Sequence, residues 1–114
     1  MAGYLTTHVL DTARGRPAEG LRITLYRIEG EERRAVTGAV TNADGRTNAP
    51  ILPEADWALG EYELVFSVAD YLEGQGGESP FLREIPIRFT LSEDSHYHVP
   101  LLLSPFGYST YRGS

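Results

Sequence analysis

Cysteine is absent from the 114 residues. Thiol nucleophiles, disulfide frameworks and cysteine-based zinc sites are therefore excluded, while the redox compartment stays open. Cations are scarce: 10 Lys and Arg stand against 16 Asp and Glu, a formal charge of −6. That balance argues against a broad nucleic-acid surface, which needs clustered basic side chains. It leaves room for a small anionic ligand held by a few local arginines. No segment approaches the ~18 apolar residues of a membrane-spanning helix. Residues 1–10 lack the basic start and apolar run of a secretory signal, and Arg112-Gly113-Ser114 is not a Ser-Lys-Leu type address. A soluble cytoplasmic protein is the expectation. Gly74-Gln75-Gly76-Gly77 has no Lys-Ser or Lys-Thr and no helix after it, so it is not a phosphate loop. Gly107-Tyr108-Ser109 does not complete a nucleophile elbow. Internal repeats and low-complexity linkers are also missing.

What is present is a strand pattern. With 41% hydrophobic residues and this length, the expectation is one packed domain spanning 1–114. Apolar residues recur with period two. Leu21, Ile23 and Leu25 alternate with polar neighbours across 20–28. Tyr62, Leu64, Phe66 and Val68 share a face across 61–69. Ile85, Ile87, Phe89 and Leu91 do so across 84–91, and Tyr97, Val99, Leu101 and Leu103 across 97–103. Each reads as a half-buried antiparallel strand. Weaker strands are expected at 4–10, 34–41 and 106–112, giving about seven in an all-β sandwich. Asn42-Ala43-Asp44-Gly45 reads as a tight turn, residues 74–80 as a flexible loop, and 69–73 as the one short helix. Pro86 cannot donate to a ladder, so its strand belongs at an edge or carries a bulge.

The candidate chemistry lies off the core side of these strands. His8 shares parity with Tyr4 and Thr6; His98 shares parity with His96, Pro100 and Leu102. Both histidines therefore point away from the domain's own core. They are either solvated strand residues or a pair of imidazoles for proton transfer near neutral pH. His96 and His98 could also be metal ligands at i, i+2, although no third ligand stands out. Arg46 follows the turn and is either solvated or fixed for bidentate contact with a planar anion. On a straight final strand Thr110, Arg112 and Ser114 would share a face, serving either a structural role or as a polar cluster at the terminus.

The blocks that carry these residues resemble a known family. Leu5-Thr6-Thr7-His8-Val9-Leu10-Asp11-Thr12 with Gly15-Arg16-Pro17-Ala18 is similar to the N-terminal motif of transthyretin-related proteins. Asp44-Gly45-Arg46 fits the second block. The stretch from His96-Tyr97-His98 to Tyr111-Arg112-Gly113-Ser114 resembles the C-terminal motif of 5-hydroxyisourate hydrolases, whose final tetrapeptide separates them from hormone-carrying transthyretins. The resemblance spans essentially the whole chain. It implies a transthyretin-like sandwich of two four-stranded sheets with one short helix, assembled as a homotetramer, a dimer of dimers with sites at the dimer–dimer interface. It implies metal-free, cofactor-free hydrolysis of the cyclic amide of 5-hydroxyisourate to 2-oxo-4-hydroxy-4-carboxy-5-ureidoimidazoline in urate catabolism. His8, Arg46, His98 and Ser114 would then be catalytic, with Tyr111, Arg112 and Gly113 binding substrate; which histidine is the base stays open. Two other readings compete. One is a non-catalytic transthyretin-like module binding a small aromatic ligand. The other is a structural sandwich, monomeric or weakly dimeric, with a disordered C-terminus.

Overall fold

The computed structural model describes residues 3–113. Eight strands form two sheets: β1 (Tyr4–Asp11), β2 (Arg16–Pro17), β3 (Arg22–Glu29), β4 (Glu32–Val40), β5 (Gly60–Phe66), β6 (Ile85–Leu91), β7 (His96–Ser104) and β8 (Gly107–Thr110). A single helix, α1 (Val68–Gly74), joins β5 to β6, and a short 3-10 turn covers Glu54–Asp56. One sheet has the order β2-β1-β7-β8, the other β4-β3-β5-β6.

Strand alternation places the core between the sheets. From the first sheet Leu5, Val9, Tyr97, Val99, Leu101 and Leu103 turn inward; from the second come Ile23, Leu25, Tyr62, Leu64, Phe66, Ile85 and Leu91. Burying each such side chain stabilises the fold by roughly 2 kcal/mol before entropy is counted. On the outer face of β5, Glu63 is also buried, held by Arg33 at 2.8 Å and Arg88 at 3.2 Å. The two arginines from flanking strands neutralise and cover it.

Several sequence expectations need correction. β1 and β7 run parallel, Leu5 beside Tyr97 and Val9 beside Leu101, so β7 is antiparallel only to β8. Alternation alone reports a face, not a partner's direction. The strand expected over 61–69 stops at Phe66 as β5, and Val68 and Ala69 belong to α1. There Val68, Ala69, Tyr71 and Leu72 are buried, a helical stripe that a two-residue period reads only in part. An eighth, two-residue strand pairs Arg16 and Pro17 with Asp11 and Leu10, too short to show any alternation. The last strand ends at Thr110, so Thr110 and Arg112 do not continue one straight ladder. Pro86 does sit on an edge strand, β6, opposite Val65. Among the described residues, no helix is long and apolar enough to cross a membrane.

Candidate active site

The outward face of the first sheet carries the site. On β1, Thr6 and His8 are half-buried; on β7, His96 and His98 are half-buried beside them. The parallel register sets Thr6 opposite His98 and His8 opposite Pro100. Residues 90 positions apart are thus brought into one row. The His8 and His98 rings lie 6.5 Å apart between centroids, and those of His96 and His98 6.2 Å apart. His96 stacks flat on Tyr4 at 4.2 Å and 7°.

Arg46 reaches this row because its turn is sewn to β1. Val9 N–H donates to the Gly45 carbonyl at 2.8 Å, and Arg46 forms an isolated antiparallel bridge with His8. The turn itself is organised by Asn42. Its side-chain oxygen accepts from Asp44 N–H at 2.9 Å and Arg46 N–H at 3.2 Å, while its carbonyl accepts from Gly45 N–H at 2.9 Å. Gly45 has φ +74, and a Cβ there would strike the Val9 carbonyl, so only glycine lets the turn lie this close to β1. None of the ion pairs among the described residues involves Arg46.

The electrostatics follow from the geometry. Burial, and then the Arg46 guanidinium, hold both His8 and His98 below the ordinary imidazole value; His96 and His8 add to the effect at His98. The Asp44 carbonyl and carboxylate beside His8 oppose the shift without reversing it. Both imidazoles are therefore neutral at pH 7, with a lone pair available. Thr6, Arg46, Asn48, Pro50, His96 and His98 help line an open cleft of about 410 Å³. A larger groove of about 830 Å³ lies across the 47–53 segment, against β4. Its arginines are engaged: Arg27 donates to Tyr62 Oη and the Leu59 carbonyl, and Arg34 pairs with Glu29. It holds no histidine, so the smaller cleft is where proton chemistry can occur.

The C-terminal residues divide. Gly113 N–H donates to the His98 carbonyl at 2.7 Å, and a Cβ on Gly113 would sit 2.7 Å from His98 Cδ2. The bare backbone of Gly113 is therefore pressed against the His98 ring. Arg112 stacks over Tyr97 at 4.0 Å and pairs with Glu93 at 3.3 Å, anchoring the tail rather than entering the cleft within this chain. Tyr111 is exposed. Ser114 lies outside the described residues. Among those residues, no three His, Asp or Glu side chains converge as a metal-holding group. Thr6, His96 and Asn42 support the site but were not among its expected catalytic or substrate-binding members; the sequence signals were the shared parity of Thr6 with His8 and of His96 with His98, and the tight-turn sequence that begins at Asn42.

The HIUase/Transthyretin family matches residues 5–113. The chain belongs to that family. A 5-hydroxyisourate hydrolase of Mesorhizobium japonicum is 59% identical, the match covering 98% of this chain and 93% of that one. The solved structure of Klebsiella pneumoniae 5-hydroxyisourate hydrolase superposes with a TM-score of 0.84 at 37% identity, over 98% of this chain and 94% of that one. A crystal structure of an (S)-allantoin synthase has a TM-score of 0.91 at 46% identity; it covers 98% of this chain, which spans only 44% of that one. Within the HIUase/Transthyretin family, the two-sheet sandwich is the expected frame, and it is the frame observed here.

Proposed function

We propose that the chain is a 5-hydroxyisourate hydrolase that opens the six-membered ring at its cyclic amide. The observation that carries the reading is the neutral His98 imidazole of β7 and the Arg46 guanidinium of the 42–46 turn on one cleft, with the neutral His8 imidazole of β1 beside them, 6.5 Å from His98 and bridged to Arg46 through the backbone. The full-length likeness to 5-hydroxyisourate hydrolases supports it.

Water lies between the histidines and the bound ring. One imidazole takes a proton from that water, and hydroxide adds to the amide carbonyl. Such a base accelerates a reaction by roughly 10²–10⁴-fold. Arg46 accepts the negative charge growing on the carbonyl oxygen and holds the planar, polar ring. The C–N bond then breaks, the leaving nitrogen takes back the proton, and the new carboxylate marks 2-oxo-4-hydroxy-4-carboxy-5-ureidoimidazoline. No step calls for a metal or cofactor. Gly113 packs the His98 ring, Arg112 ties down the tail, and Tyr111 and Ser114 supply further contacts to substrate.

The cleft is open in one chain, and a neighbouring subunit would close and dry it. A homotetramer does this by pairing edge strands into dimers and facing two dimers across the outward histidine face. The exposed aromatic Tyr111 and the edge strand β8 beside it suit that role.

Substitution tests the roles. His8→Asn, His98→Asn and Arg46→Ala should each lower kcat/KM for 5-hydroxyisourate by about 10² or more, while sedimentation shows the assembly unchanged. Turnover within a few-fold of the parent in all three would remove these residues from the reaction.

A further inference from the structure

Thr6 touches two histidines at once. Its Oγ1 lies 2.6 Å from His96 Nε2 and 2.8 Å from His98 Nδ1. A hydroxyl has one proton to donate. If it donates to one ring nitrogen, the other must bring its own N–H, or two lone pairs would face each other. The tautomers of His96 and His98 are therefore coupled through a single oxygen.

The distances choose between the two orders. Bonds from a hydroxyl are shorter than bonds from a ring N–H. The 2.6 Å contact fits Thr6 O–H donating to His96, and the 2.8 Å contact fits His98 Nδ1–H donating to Thr6. The alternative in which both rings donate leaves the hydroxyl proton without an acceptor in a half-buried position, and it too puts the proton on Nδ1. His96 cannot easily turn away, because it is stacked on Tyr4 at 4.2 Å. On the other side, Gly113 presses on the His98 ring. Arg46 faces the same cleft with donors only, which suits a lone pair better than another N–H.

The geometry points to Thr6 and His96 as a positioning pair that holds His98 with its proton on Nδ1 and its Nε2 bare toward the cleft. This rests on the hydrolase reading, and it names His98 as the imidazole that takes the proton from water. His96 is a positioning residue acting through Thr6; neither needs to touch substrate.

Long-range 1H–15N spectra read which nitrogen of a neutral imidazole carries the proton. Recorded above the titration of both histidines, the wild-type spectrum should show His98 protonated at Nδ1 and bare at Nε2. His96→Phe keeps a ring on Tyr4 but removes the acceptor. The Thr6 proton then turns to His98 Nδ1, driving the ring to the Nε2–H form. Turnover of 5-hydroxyisourate should fall at least about tenfold in kcat, with KM moving less than about twofold. Thr6→Val should also lower kcat, and Thr6→Ser should restore both the tautomer and the rate. An Nε2–H signal in the wild type overturns the proposal, even if a variant fails to fold; so does a folded His96→Phe with unchanged tautomer and kcat. The spectra need no substrate. An Nδ1–H signal in a protein that does not turn over 5-hydroxyisourate would remove the hydrolase reading and leave the tautomer lock standing. Turnover with an Nε2–H signal would do the reverse.

Discussion

At the residue scale, burial and the Arg46 guanidinium press on His8 and His98 in the same direction, both disfavouring imidazolium. A base works only when neutral, so the acid limb of kcat/KM should lie below the ordinary imidazole value of about 6.5. Arg46→Ala removes one of the lowering causes at each histidine, and the limb should move up toward that value while the rate falls. A limb that stays in place would mean another group titrates. The sign for stability follows as well. As pH falls through about 6.5, unfolded imidazoles bind protons before the folded ones do, so the fold loses stability from there downward until the folded histidines also protonate. His8, Arg46 and His98 were legible in the sequence because they stand in motif blocks and, for the histidines, on the outward parity of their strands. Thr6, His96 and Asn42 were not. The first two act across a parallel register between residues 90 apart, and Asn42 acts through its side-chain oxygen inside the turn.

At the scale of elements, the site is held by what fastens α1 and the turns to β1. Asp11, at the end of β1, is buried to 1% exposure. It accepts from Tyr71 Oη at 2.8 Å and pairs with Arg14 at 3.3 Å. Burial and the Asp11 bond push the Tyr71 hydroxyl up to about 12, so it remains a donor throughout the working range. Tyr71→Phe leaves a buried carboxylate oxygen without that partner. The expected loss is about 1–3 kcal/mol, read as a lower denaturant midpoint at unchanged slope; an unchanged midpoint would mean water satisfies Asp11. The strands β3, β5, β6 and β7 were legible from alternation, and α1 from the short run after it. The direction of β7 against β1 was not, because both directions bury the same face. Nor was the end of β5, where an apolar parity carried on into a helix.

For the whole molecule, two sheets stack their inward faces and leave the histidine row on the outside of one of them. All ten basic residues are arginine, and the net charge stays at −6. The proposed cationic recognition is therefore local, at Arg46, rather than spread over the surface. Such a placement makes sense when a second copy covers the face, as the proposed tetramer does. The most direct test is to generate fresh 5-hydroxyisourate in place with urate oxidase and follow its absorbance decay. Decay much faster than the spontaneous rate, lost when residues 111–114 are deleted from a protein that still folds and assembles, is the result the hydrolase account requires. Decay at the spontaneous rate in the presence of the intact, folded protein would contradict it.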